Sequence, residues 1–323
     1  MKVLVYSSKE AEQTDLGWHR DGHEIKYYPN TYRREAFSNC QRYYYTLSFS
    51  YTFKHDQDTV FFAHSRPYTY SYLLNYLETL ENDPRIAKFL TRNTLCRTLA
   101  GNRCEYLTIS TKDDPKTRAR KKGVIITSRV HPGETGASWM MHGLIDFLTS
   151  DAPEAQLLRE HCVFKIVPML NPDGVIHGNY RCSLSGCDLN RRWKTPSSLL
   201  HPTIFHTKRL CHNLVRDFSK ASLRNPNTVS RELVLYCDLH GHSRRKNVFM
   251  YGNSNADSPD ETKLFPYIMS KLCPFFSFNY SRFAVQRHKE NTARITMWRE
   301  LRVPNVFTLE ASFCGPNTVS INC

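Results

Sequence analysis

Four side chains able to hold or serve a divalent metal stand just past apolar segments of this sequence. Val124–Val130 is followed by His131-Pro132-Gly133-Glu134, Val234–Leu239 by His240-Gly241-His242, and Val306–Leu309 by Glu310. In sheets built from alternating strands and helices, ligands gather outside the carboxyl ends of the strands. Two histidines and two glutamates at three strand ends are therefore the inventory of a catalytic zinc site. Zinc in a hydrolase takes three protein ligands and keeps a position for water. Pro132 and Gly133 bend the chain so that His131 and Glu134 reach one metal, and His240 closes the set from a neighbouring strand. Zinc lowers the pKa of its water to about 7 and polarises a carbonyl. A further carboxylate must take the water's proton and pass it to the leaving amine, and Glu310 is placed for that. Alone, His-x-x-Glu equally describes a loop histidine beside a helix start, where the dipole favours a glutamate. His240 alone equally describes a structural histidine. Their coincidence at three strand ends favours the metal.

The elements that position these residues are legible from apolar periodicity. Strands are expected at Val124–Ile126, Val163–Leu170, Leu233–Leu239, Val248–Tyr251 and Asn305–Leu309, and helices at Ala137–Thr149, Ile204–Phe218, Leu264–Leu272 and Thr292–Leu301. Buried strands alternating with helices predict an α/β fold with a mixed, mainly parallel twisted sheet flanked by helices. Leu73, Leu74, Leu77 and Leu80 fall at helical spacing before Pro84, and Lys112–Lys122 reads as a basic loop between two strands. Residues 1–67 are β-rich. Tyr43–Phe53 alternates, with Leu47, Phe49, Tyr51 and Phe53 on one face, and Thr59–Ala63 follows an Asp56-Gln57-Asp58 turn as the second arm of a hairpin. The expected organisation is a small β-sandwich-like domain over 1–67 and a catalytic domain over 68–323.

Composition narrows the class. The 323 residues are 40% hydrophobic and 23% charged, which excludes collagen, low-complexity disorder and a coiled coil. No apolar run is long enough for a membrane span, and the start turns polar at Ser7, too early for a signal peptide. The eleven cysteines are scattered, with no pair in C-x-x-C spacing, so Cys104, Cys162 and Cys237 read as buried thiols of a cytoplasmic protein. A net charge of +14 attracts nucleic acid, anionic membrane or acidic protein, or simply keeps the chain soluble. The basic clusters Arg118–Lys122 and Arg244-Arg245-Lys246 lack any nucleic-acid-binding signature, so neither nucleic acid nor membrane is an expected partner.

Asn171-Pro172-Asp173-Gly174, Gly178-Asn179-Tyr180-Arg181 and Asp188-Leu189-Asn190-Arg191-Arg192-Trp193 complete the pattern around His-Pro-Gly-Glu and Asp238-Leu239-His240-Gly241-His242-Ser243. With Val248-Phe249-Met250-Tyr251-Gly252 and Thr308-Leu309-Glu310-Ala311-Ser312-Phe313, the sequence resembles the zinc metallocarboxypeptidases, and within them the cytosolic carboxypeptidases. Phe62-Ala63-His64-Ser65-Arg66-Pro67-Tyr68 and the β-rich segment before it resemble that family's amino-terminal domain. The resemblance implies the zinc carboxypeptidase fold and one Zn2+ held by His131, Glu134 and His240. It implies Glu310 as general base, Arg181 as the stabiliser of the oxyanion, and Asn190 with Arg191 as holders of the substrate's terminal carboxylate. For the side-chain pocket, Arg294 and then Lys289 correspond to the basic groups that receive a glutamate. The expected activity is removal of glutamate from acidic C-terminal tails or polyglutamate branches, with tubulin as the implied substrate class and the cytoplasm, at microtubules or cilia, as the location. Only 13 residues follow Glu310 and the amino-terminal domain is short, so the chain reads as a short isoform or an incomplete one. Tyr251 and Tyr280 are open candidates for a substrate-facing tyrosine. A silent module that binds acidic tails without cutting them is the alternative function.

Overall fold

The computed structural model describes residues 2–34, 42–114, 117, 120–224, 233–255, 258, 260–303 and 305–317. The chain divides into two compact units, one ending at Pro67 and one beginning at Tyr68.

The first unit holds β1 (Val3–Ser7), α1 (Ser8–Thr14), β2 (His19–Asp21), β3 (His23–Arg34), β4 (Arg42–Ser50) and β5 (Val60–Ala63). Two antiparallel sheets form, one in the order β2-β1-β5 and one pairing β3 with β4. The expected hairpin is corrected here: β4 pairs with β3, whereas β5 lies along β1, Val5 facing Phe62. Tyr51 and Phe53 lie beyond the strand and stack edge-on instead. Nor does alternation decide burial on β4, where Leu47 is exposed and Thr46 and Ser48 are half-buried. A two-stranded ribbon covers the face that its pattern marks only in part, Phe49 and Tyr51 meeting Phe62 of β5 while Leu47 stays out.

The second unit is a seven-stranded mixed sheet in the order β11-β12-β10-β8-β9-β7-β6. The strands are β6 (Leu90–Arg97), β7 (Arg103–Ile109), β8 (Lys122–Ser128), β9 (Cys162–Val167), β10 (Leu233–His242), β11 (Val248–Tyr251) and β12 (Asn305–Ser312). The helices are α2 (Tyr70–Asn82), α3 (Thr135–Thr149), α4 (Pro153–His161), α5 (Pro172–Ile176), α6 (Pro202–Arg224), α7 (Glu261–Leu272) and α8 (Ala293–Leu301). The four central strands run parallel, β12 beside β10, β10 beside β8 and β8 beside β9, while β11, β7 and β6 are antiparallel to their neighbours. Parallelism is thus confined to the centre, where both faces are covered. Val124 and Ile126 enter one apolar cluster with Met141 and Ile145 of α3, while Ile125 enters the other with Ile204 of α6 and Met297 of α8. Near-continuous apolar runs are what two covered faces demand.

The segment 112–122 does join β7 to β8, but Lys121 in it is buried, ion-paired to Asp113, and is no part of an open basic patch; Arg118 lies outside the described residues. Cys104 and Cys237 are buried and Cys162 is half-buried; the nine described cysteines are free thiols. No described helix is long and apolar enough to cross a membrane.

Candidate active site

The parallel ladder brings the strand-end residues together. β8 runs out at Ser128, and the turn Arg129–Glu134 delivers His131 and Glu134 before α3 begins, with Glu134 at its N-cap. On β10, Asp238, Leu239 and His240 are in register with Thr308, Leu309 and Glu310 of β12. His240 and Glu310 therefore sit side by side on paired backbones. His131, Glu134 and His240 each place a ligand atom within 4.8 Å of the others'.

Hydrogen bonds fix which atoms face inward. His131 Nδ1 lies 2.8 Å from Glu134 Oε1 and His240 Nδ1 lies 2.9 Å from Glu134 Oε2. The opposite ring nitrogens are tied back, His131 Nε2 to Asp188 Oδ1 at 3.1 Å and His240 Nε2 to Asp238 Oδ2 at 2.8 Å. Imidazoles held by outer carboxylates, with the other nitrogen aimed at a shared point, are oriented as metal ligands are. Two Nδ1 atoms and a carboxylate are a His2Glu donor set, which suits a catalytic zinc with room for water. The residues present fit the ion.

Electrostatics follow from this arrangement. Burial pushes the Glu134 carboxyl up, but His240 and His131 outweigh it and hold the group well below the usual carboxylate range. Burial works against charge on His240, yet Asp238 and Glu134 raise it well above the ordinary histidine value. Asp188 is held low: burial opposes its charge, and His131, Arg181 and Arg191 overcome that. Glu310 differs. Burial raises it to about 7, with Glu134 adding to the rise and His240 opposing it. It accepts no hydrogen bond from the described residues, which leaves both oxygens free for water.

The cations expected around a substrate line the same cavity, of about 280 Å³. Arg181 donates to Asp188 Oδ2 from Nε at 2.9 Å and from Nη2 at 2.8 Å, which leaves Nη1 uncommitted. Arg191 donates from Nη1 to Asn190 O at 2.9 Å. The Asn190 side chain is buried, accepting from Ala293 N at 2.9 Å, with Nδ2 lying 3.4 Å from His240 Nε2. Arg294, in the first turn of α8, is buried and donates from Nη1 to Gly252 O and to Asn253 Oδ1. Burial lowers it to about 10 because no carboxylate pairs with it. Lys289 Nζ stands 5.0 Å above the Tyr251 ring, lowered by burial and by Arg294 and Arg191. All nine residues singled out in the sequence thus meet at one cavity. Tyr251 lines it as well, while Tyr280 does not: its carbonyl accepts from Arg245.

Sequence reasoning missed Asp188, Asp238 and Arg129. Asp238 had a usable signal, since residues two apart on a strand share a face and it stands two before His240. Asp188 stood at the head of a quoted motif, but its role could not be read there, because its partner is fifty-seven positions away.

Comparison with known proteins accords with this geometry. The zinc carboxypeptidase family profile matches residues 73–300. Mouse (Mus musculus) cytosolic carboxypeptidase 3 is 45% identical over 323 residues, covering 98% of this chain and 30% of that protein. Human cytosolic carboxypeptidase 2 is 44% identical over 319 residues, covering 98% of this chain and 33% of that protein. The chain spans about a third of the length of the curated relatives it matches. Among solved structures, a metallo-carboxypeptidase from Burkholderia cenocepacia superposes with a TM-score of 0.72 at 21% identity, over 97% of this chain and 71% of that one. Carboxypeptidase A from Helicoverpa armigera gives 0.59 at 18% identity, over 81% and 68%. The structural likenesses carry the fold, the profile carries the descent, and the chain belongs to the zinc carboxypeptidase family.

Proposed function

We propose that this chain is a zinc-dependent metallocarboxypeptidase that removes glutamate from acidic C-terminal tails or polyglutamate side chains of proteins, with tubulin as the substrate class. One observation carries the reading. The cavity at the His-Glu-His triad is lined by Arg181, Arg191, Lys289 and Arg294, and its carboxylates among the described residues are only Glu134 and Glu310. Lys289 and Arg294 form no ion pair with any described residue, and a buried unpaired cation is costly unless an anion arrives to meet it.

Zinc held by His131, Glu134 and His240 supplies Lewis acidity and a water of lowered pKa. The chain's own residues do the rest. Glu310 takes a proton from the attacking water and returns it to the departing amine. Arg181, oriented by Asp188, offers Nη1 to the developing oxyanion. Arg191 and Asn190 grip the terminal carboxylate, for which a planar guanidinium is well shaped. Arg294 at the cavity floor and Lys289 beside it receive the glutamate side chain. The net charge of +14 steers acidic tails toward the site. Action on tubulin implies a cytoplasmic location at microtubules or cilia; of this, the relatives' names support only the cytosolic part.

The test is glutamate release from a synthetic peptide ending in several glutamates, with and without phenanthroline. Chelator-sensitive release is the expected result. No release from folded, zinc-loaded protein that still binds the peptide would replace this reading with a silent module for acidic tails.

A further inference from the structure

Behind the metal turn lies a cation that the reaction does not use. Arg129 follows β8 and is 3% exposed. Its backbone sits at φ 56°, in the left-handed region where glycine is at ease and other residues are strained. Its guanidinium donates from Nε to Pro132 O at 2.8 Å, and from Nη1 to Ser138 Oγ at 2.8 Å and Tyr68 O at 3.3 Å. All three acceptors are neutral, and no described carboxylate pairs with it. The acid that acts on it through space is Glu134.

The two short contacts bracket the metal turn. Pro132 stands between His131 and Glu134, and Ser138 is in the first turn of α3, directly after Glu134. One rigid fork therefore spans the turn from its middle to the helix it enters. A glycine would suit the backbone better, so the side chain is what the site gains from an arginine here. An outlier of this kind beside a reactive centre points to function.

We infer that Arg129 is a positioning residue for the metal centre: its guanidinium locks the Pro132 carbonyl to the start of α3, which fixes His131 and Glu134 relative to each other. The inference rests on the reading of His131, Glu134 and His240 as metal ligands.

The experiment strips the full chain of metal and titrates it with zinc against a chromophoric chelator, comparing the parent with Arg129→Gly, Ser138→Ala and a His131→Ala control. Arg129→Gly relieves the backbone and removes the fork. Its zinc affinity is expected to fall by about 10- to 100-fold, the usual cost of losing an outer-shell partner. The metal-free melting temperature should fall only modestly, the relieved backbone offsetting part of the lost hydrogen bonds, and at saturating zinc kcat should drop with KM unchanged. Ser138→Ala, which removes one acceptor and leaves the backbone alone, should weaken zinc several-fold and serves if Arg129→Gly does not fold. Parent-like zinc affinity in the variant that folds overturns the inference, as does a loss of affinity accompanied by a raised KM at saturating zinc. Should the parent bind zinc no better than His131→Ala, the metal-centre reading itself fails, which is a distinct outcome.

Discussion

Gly133 stands where the metal turn passes under the segment that carries Arg181, and an added methyl there has nowhere to go. A Cβ at this position would lie 2.5 Å from Tyr180 Cδ2, 2.9 Å from its Cε2 and 2.7 Å from its backbone oxygen. That same oxygen accepts from Gly133 N at 2.8 Å. The ring can rotate away, but the carbonyl cannot leave without moving the chain. Restoring 3.4 Å of ordinary contact to the oxygen separates the two segments by about 0.7 Å. Overpacking of this kind costs about 1–3 kcal/mol, and each kcal/mol is worth about 2–4 °C of melting temperature in a domain of this size. The kinetic cost should be larger, since Arg181 immediately follows Tyr180 and a displacement near 1 Å at a reacting centre costs about 10²-fold. We therefore expect Gly133→Ala to bind zinc, to melt several degrees lower and to lose about two orders of magnitude in kcat/KM on a glutamate-ended peptide. Adding Tyr180→Ala removes the ring clash and leaves the carbonyl clash, so the double variant should recover little of the loss. A Gly133→Ala protein within twofold of parental kcat/KM, or one that Tyr180→Ala fully rescues, would refute the reasoning.

Glu310→Gln should abolish turnover while zinc content stays at one ion per chain; residual activity in a zinc-replete sample would remove Glu310 as the base. Burial holds Glu310 near 7, and a bound cation lowers that value, so kcat should fall as pH drops through a titration below about 7, and a profile flat down to pH 5 counts against the role. Asp238→Asn, losing the buried carboxylate on His240 Nε2, should weaken zinc by about 10- to 100-fold in a chelator competition. Arg294→Met should cost about 2 kcal/mol in transition-state binding of a terminal glutamate, about 30-fold in kcat/KM, and much less for a terminal methionine; equal losses on both peptides would exclude a side-chain role.

The parts of this molecule that were legible in the sequence share a physical reason. β8, β10 and β12 are covered on both faces, so their residues are mostly apolar, broken only by buried polar groups such as Asp238 and Thr308, and the polar residues at their ends stand out. His131, Glu134, His240 and Glu310 were found that way, and α3 and α8 by apolar spacing. The periphery obeys weaker rules. β6 and β7, an antiparallel pair at the sheet edge, are punctuated by Arg92, Asn93 and Glu105; β6 gave no strand signal, and β7 was implied only as the strand before the 112–122 loop. The partner of β4 could not be read from β4, because pairing with β3 rather than β5 depends on where distant segments lie. Arg129 was invisible for another reason: nothing in a residue's name announces a left-handed backbone.

The pairing of His240 with Glu310 has a consequence for how substrate choice can change. Between these two register partners the chain makes one long excursion, through β11, α7 and α8, and returns to the neighbouring strand. Tyr251, Lys289 and Arg294, which line the cavity, all lie on that excursion. The metal ligand and the base are held by the backbone ladder at its two feet. The excursion is not wholly free of the ladder, since β11 pairs with β12 and sets Phe249 opposite Glu310; Lys289 and Arg294 lie outside that pairing, so a change of terminal residue can be written there while the ladder keeps His240 and Glu310 in step.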